Sequence, residues 1–166
     1  MKFLGIGRDG VGRTVPIVGP STSERTESTG VTAPVGHLRG RVRVVVRVFA
    51  SLVAVVHCLL VCVQPVLAGM SLEGVANAID WHGTNGSIIL TIAMVQVLAA
   101  ALWWKPGGGP LWVPLACLVL LAGETVQLGI GYAFLLTMHI PLGVAIVALS
   151  VVLCVVLVRR PRTWPS

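Results

Sequence analysis

Four blocks of largely apolar residues, at roughly 48–69, 82–104, 111–131 and 134–158, constrain this chain more than any other feature. A helix needs about 20 such residues to cross the hydrocarbon core of a bilayer, and each block reaches that length. Within lipid, every backbone N–H and C=O must find its partner inside the structure, so the blocks read as transmembrane helices. Of the 166 residues, 55% are hydrophobic and 11% are charged, and the mean hydropathy is +0.92. That leaves no room beyond residue 47 for a soluble domain. The expected fold is all-α, an antiparallel four-helix transmembrane bundle spanning 41–160. A basic tail at 1–40, expected to be disordered, precedes it, and a short tail at 161–166 follows.

The charges orient the bundle. All twelve Lys and Arg residues lie before the first block, at Lys105 between the second and third, or after the fourth. With four spans these regions share one side, which the positive-inside rule makes the cytoplasm. The other two connections carry no Lys or Arg, and the first carries Glu73 and Asp80. Both termini are therefore expected inside, in a multi-pass protein of the plasma membrane. The net charge of +6 reflects topology, with no nucleic-acid partner implied.

Residues 1–40 are rich in Gly, Ser, Thr and Pro and offer little to bury. No apolar core closely follows the first basic residues, so no signal peptide is expected, and translation could start downstream of Met1. Gly5 to Gly10 matches G-x-G-x-x-G but lacks the βαβ setting which that pattern needs. Cys58, Cys62, Cys117 and Cys154 all fall within spans, with no Cys-x-x-Cys, and read as small apolar fillers. Pro65 is expected to kink the first span. A short surface helix is expected near Leu72 to Ile79, with Asp80 as N-cap of the second span. Trp103 and Trp104 read as interface anchors, and Lys105 to Pro110 as a turn. The fourth span begins near Phe134 or, alternatively, at Pro141.

A two-helix unit is used twice. Spans one and three each carry a Gln near the outer end followed by Gly (Gln64 with Gly69, Gln127 with Gly129). Spans two and four each open with His-x-x-x-Gly: His82 with Gly86, and His139 with Gly143. Positions i and i+4 share a helix face, so each histidine has a gap one turn further along. The repeat places His82 and His139 at similar depth across the bundle. Ionisable groups inside a bilayer are costly and start as functional candidates. His82 and His139 are candidate axial ligands of a haem iron, with Gly86 and Gly143 leaving room for its flat ring. Met70 and Met138 are secondary ligand candidates. Glu124 and Gln127, neighbours on one face, are candidate supporting residues. Glu124 reads equally as a protonated acid bonded to Gln127 or to another span. His57, deeper in the first span, reads as a core histidine, and Gln64, Gln96 and Gln127 as interhelical hydrogen-bond glue.

The residues His82, His139 and Val126 to Gly131 carry a resemblance. Four spans with histidines at the outer ends of the second and fourth resemble one half of a haem A synthase. The stretch 48–160 more closely resembles small bacterial four-helix membrane proteins of unknown function. Their pattern is Gln-x-x-x-Ala-Gly closing helix one (Gln64 to Gly69 here, one residue longer), then His-x-x-x-Gly, then a His-Pro type motif. The resemblance implies cofactor binding without the oxidative chemistry. Trp81 stands where the synthases have Glu, the first outer loop has no cysteine, and the chain is half their length. The resulting expectation is a non-enzymatic protein binding haem b for electron transfer or redox sensing. It would sit as a homodimer or in a larger complex, with a quinone or redox partner. The alternatives are a cofactor-free structural or assembly subunit and a small proton-coupled transporter around Glu124.

Overall fold

The computed structural model describes residues 7–8, 14–15 and 33–159. An N-terminal unit contains β1 (Gly7–Arg8) and β2 (Thr14–Val15), paired antiparallel. This ladder is not the βαβ unit that the glycine pattern at 5–10 would require. The second unit holds α1 (Ala33–Leu72), α2 (Ala78–Trp104), α3 (Trp112–Tyr132) and α4 (Leu136–Val158). All four are long and apolar enough to cross a membrane. The shortest, α3 with 21 residues, rises roughly 32 Å at 1.5 Å per residue, about the thickness of a hydrocarbon core.

Each helix packs on its two neighbours in a ring: α1 on α2, α2 on α3, α3 on α4, and α4 on α1. The pairs α1/α3 and α2/α4 therefore lie on diagonals. The inward stripes show why. On α1 the buried positions are Ala50, Ala54, His57 and Val61; on α3 they are Val113, Cys117, Leu120 and Glu124. On α2 they include Ile89, Ala93, Gln96, Ala100 and Trp103; on α4 they are Ile146, Ser150, Leu153 and Leu157. Every stripe advances in steps of three and four, the seam of a left-handed bundle with knobs-into-holes packing. The stripes on α2 and α4 extend back through Gly86 and Gly143 to His82 and His139. Those on α1 and α3 extend forward to Gln64 and Gln127.

Lipid offers no hydrophobic drive between helices, so close approach of small side chains does much of the work. Ala50, Ala54, Ala93, Ala99 and Ala100 are all at most 2% exposed. Large apolar side chains such as Leu52, Leu98, Val119 and Val144 point outward, where the acyl chains solvate them. The starts of α1 and α3 and the ends of α2 and α4 form one end of the bundle. There Arg47 Nη2 donates to the Arg159 carbonyl at 2.6 Å, and Ser51 Oγ to the Leu157 carbonyl at 2.8 Å. Among the described helical residues, all Lys and Arg lie at this end.

Several local expectations change. Residues 33–40, expected within a disordered tail, are the start of α1. Adding a residue to an existing helix avoids the nucleation cost, and Pro34 is tolerated in a first turn. The remainder of that tail, apart from β1 and β2, and residues 161–166 lie outside the described residues. Pro65 stands inside α1 without ending it. No separate surface helix forms between α1 and α2. Residues 73–77 link them instead, with Gly74 and Asn77 at φ +80° and +63°. Asn77 takes the N-cap position, and Asp80 sits in the first turn of α2, where the helix dipole still favours an anion.

Trp103, at the basic end of α2, is buried within the bundle. Its ring lies under Gly109, where an added Cβ would come within 2.7 Å of it. Trp104 carries Lys105 Nζ 4.9 Å from its ring centroid. Helix α4 starts at Leu136, so it includes both His139 and Pro141. The connection before it is three residues, with Phe134 at φ +55°.

Overfilling the alanine seam should be costly. Ala100→Leu or Ala54→Leu should lower stability in detergent by about 1–3 kcal/mol, the usual cost of forcing methylenes into a filled core. An outward change such as Leu98→Ala should have little effect. Thermal melts followed by circular dichroism compare the three.

Candidate functional site: two His–Gln clasps and a buried His–Glu pair

At the end of the bundle opposite the basic residues, one arrangement occurs twice. Gln64 of α1 donates from Nε2 to the His82 carbonyl at 3.2 Å, and His82 Nδ1 lies 3.2 Å from the Gln64 carbonyl. Gln127 of α3 donates from Nε2 to the His139 carbonyl at 2.8 Å, and His139 Nδ1 lies 3.2 Å from the Gln127 carbonyl. The same atoms meet in both halves, so the internal repeat extends to the hydrogen bonds. Asn85 adds a bond from Nδ2 to the Leu60 carbonyl at 3.0 Å, in the stretch where Pro65 loosens the α1 ladder.

The clasps fix the chemistry of the imidazoles. A carbonyl only accepts, so each Nδ1 carries the hydrogen and each neutral ring keeps a lone pair on Nε2. The two rings face across the α2/α4 diagonal, with centroids 6.1 Å apart and planes at 60°. Two imidazoles bound on opposite sides of one ion, with bonds of about 2.0–2.1 Å, place their ring centres roughly 6 Å apart. Metal-binding histidines commonly donate their other N–H to a backbone carbonyl. The ring spacing and the Nδ1 contacts are both compatible with a shared metal. Among the described residues no group of three or more His, Cys, Asp or Glu side chains gathers as a metal site. Any further ligands would thus come from a cofactor ring or from water.

The glycines have a definite job. A Cβ at Gly86 would lie 3.1 Å from Gln64 Nε2, and one at Gly143 would lie 2.9 Å from Gln127 Nε2. The gaps expected to face a flat cofactor are the seats of the glutamine amides. Gly131 gives the His139 ring its room, since a Cβ there would stand 2.9 Å from Cε1. Gln64 Oε1 and Gln127 Oε1 are buried without a hydrogen-bond partner, leaving two acceptors in this layer. Met138 faces outward, 66% exposed, away from the pair.

Gln127 supports His139, in keeping with its sequence pattern. The Glu124 carboxyl turns elsewhere. Its Oε1 lies 3.0 Å from His57 Nε2 across the α1/α3 diagonal, with the two side chains 0% (His57) and 5% (Glu124) exposed. So the bundle has two diagonal pairs, His82–His139 near the end and His57–Glu124 deeper. Below them, Gln96 Nε2 reaches Cys117 Sγ at 3.7 Å.

Gln64 and His57 were not site candidates on sequence grounds. The available signal for Gln64 was its repeat partner Gln127. For His57 it was that a buried carboxyl needs a proton-bearing partner, and His57 is the remaining ionisable side chain at depth. Comparison with known proteins brings no match: no family model, no curated protein and no solved structure aligns with the chain.

The glycine seats make a graded expectation. Gly143→Ala, at 2.9 Å from the amide, should lower the thermal midpoint more than Gly86→Ala, at 3.1 Å. Each displaces one interhelical hydrogen bond, worth about 0.6 kcal/mol. Gly129→Ala, where a Cβ would meet nothing within 4 Å, should be neutral. Equal losses at all three positions would contradict the seating.

Proposed function

We propose that this chain is a small integral membrane protein that binds haem b between His82 and His139, for electron transfer or redox sensing. One observation carries the reading: two imidazoles face each other across the bundle at 6.1 Å, each with Nδ1 turned to a carbonyl. A pair of histidines serving only as packing residues gains nothing from having both Nε2 lone pairs directed away from the protein's own hydrogen bonds.

The bound group would supply a one-electron redox centre. The chain's own residues do the rest. His82 and His139 would hold the metal from α2 and α4. The Gln64 and Gln127 carbonyls would keep both rings in the Nδ1–H form and raise the donor strength of Nε2. Gly131 admits the His139 ring. The outward Leu and Val side chains keep the site within lipid, where an electron partner would be another membrane protein or a quinone. The resemblance of His82, His139 and the Gln127 segment to one half of a haem A synthase supports the same reading. With the basic end taken as cytoplasmic, the pair would lie near the outer surface of a plasma membrane.

Purification in mild detergent after expression with ample haem gives the test. A Soret band, with sharp α and β bands on dithionite reduction, should be present. It should disappear in His82→Ala and in His139→Ala while both variants keep the wild-type helical content. Gly131→Val should weaken it by crowding His139. A colourless wild-type protein refutes haem binding and returns the histidines to a structural role in a cofactor-free subunit.

A further inference from the structure

We propose that His57 and Glu124 form a proton-holding site at the centre of the bundle, and that it takes up one further proton when an electron enters the His82–His139 layer. The coupling rests on the haem reading above; the proton-holding site does not.

The repeat supplies the first argument. Aligning Gln64 with Gln127 sets His57 opposite Leu120 and Glu124 opposite Val61. Leu120 and Val61 are both 2% exposed. The fold therefore already has an apolar solution at each of these positions, and uses it in the other half. On α1 and α3 an ionisable side chain breaks the inward stripe once in each half, and the two breaks meet at 3.0 Å. Packing alone gives no reason for that.

The second argument is the lack of support around the pair. All four polar side-chain atoms of the pair, His57 Nδ1 and Nε2 and Glu124 Oε1 and Oε2, are buried with no hydrogen-bond partner, and the pair meets only in the 3.0 Å approach of Nε2 to Oε1. A buried ion pair needs its remaining lone pairs and protons satisfied to offset desolvation, so the separated-charge form is disfavoured here. The neutral form remains, with a protonated Glu124 carboxyl set 3.0 Å from His57 Nε2. Removing that proton leaves a bare carboxylate in hydrocarbon, and adding another leaves an imidazolium. While its surroundings stay neutral, the pair holds one proton.

Among the described residues, no other charge lies at this depth to set its state. On α2, no ionisable side chain follows His82. On α4, Cys154 alone follows His139, and Ser150 is buried with a free hydroxyl. On α1 the neighbours are Cys58 and Cys62, and on α3 it is Cys117, two turns from Glu124 and bonded to Gln96. The link to the upper layer is direct: Gln127, whose carbonyl faces His139, is one turn beyond Glu124 on the same face. One electron delivered there by an external one-electron donor is balanced by one proton from water. That proton settles on His57 Nε2, while Glu124 stays protonated.

Infrared spectroscopy of the purified full chain tests the site. A protonated-carboxyl C=O band, shifted in D2O, should be present and should vanish in Glu124→Gln. Its absence in the wild type overturns the site. The double variant His57→Leu/Glu124→Val copies the residues of the other half. It should fold with a thermal midpoint at or above the wild type, since apolar replacement of a buried pair is often neutral or stabilising.

A mediator-poised redox titration tests the coupling. The wild-type potential should fall by about 59 mV for each tenfold drop in proton concentration, and the double variant should show no slope. A pH-independent wild-type potential overturns the coupling. A colourless chain that still shows the carboxyl band removes the haem reading and the coupling together, and leaves the proton site standing.

Discussion

Polar groups inside hydrocarbon have only one another to bond with, and the interior of this bundle follows from that constraint. Water would satisfy a stray amide or imidazole at a soluble protein's surface. Here the cost of an unpaired group is several kcal/mol. The inward stripes accordingly place nearly every polar side chain where a partner on another helix can reach it. Gln64 reaches His82, Gln127 reaches His139, Asn85 reaches the Leu60 carbonyl, and His57 reaches Glu124. The alanine seam brings the backbones close enough for these short reaches, so packing and polar pairing are one design.

The ring order of the helices turns that pairing into a site. Because α1 faces α3 and α2 faces α4 only across the centre, a side chain on a diagonal helix must meet its counterpart on the bundle axis. The His-x-x-x-Gly of α2 and α4 therefore becomes one imidazole pair rather than two surface histidines. The glutamines on the other diagonal become their holders. Internal duplication does this economically: a single clasp, written twice, yields two opposed donors at matched depth.

The same duplication shows where the chain departs from pure architecture. Gln, His and Gly recur in both halves with their contacts, and so belong to the repeated scaffold. His57 and Glu124 do not recur. They occupy positions that hold Leu120 and Val61 in the other half, and their pairing puts two ionisable side chains at the centre of the bundle where the repeat alone would put apolar ones.

Hydrophobic block length and the placement of Lys and Arg determined the four spans, their antiparallel order and the common end for both termini, because bilayer thickness and charge act on local stretches of chain. The repeated His-x-x-x-Gly with its preceding Gln also placed His82 and His139 opposite each other before any coordinates. Tertiary structure decided the rest. That Gln64 and Gln127 hold the imidazoles, that Gly86 and Gly143 seat amides, that Trp103 is buried under Gly109, and that Glu124 pairs with His57 all depend on which face of one helix meets which face of another. Such contacts join residues on different helices. No periodicity along one segment records them, because a side chain's partner in a bundle is set by the rotation and depth of the opposing helix, and these are fixed only when all four pack together.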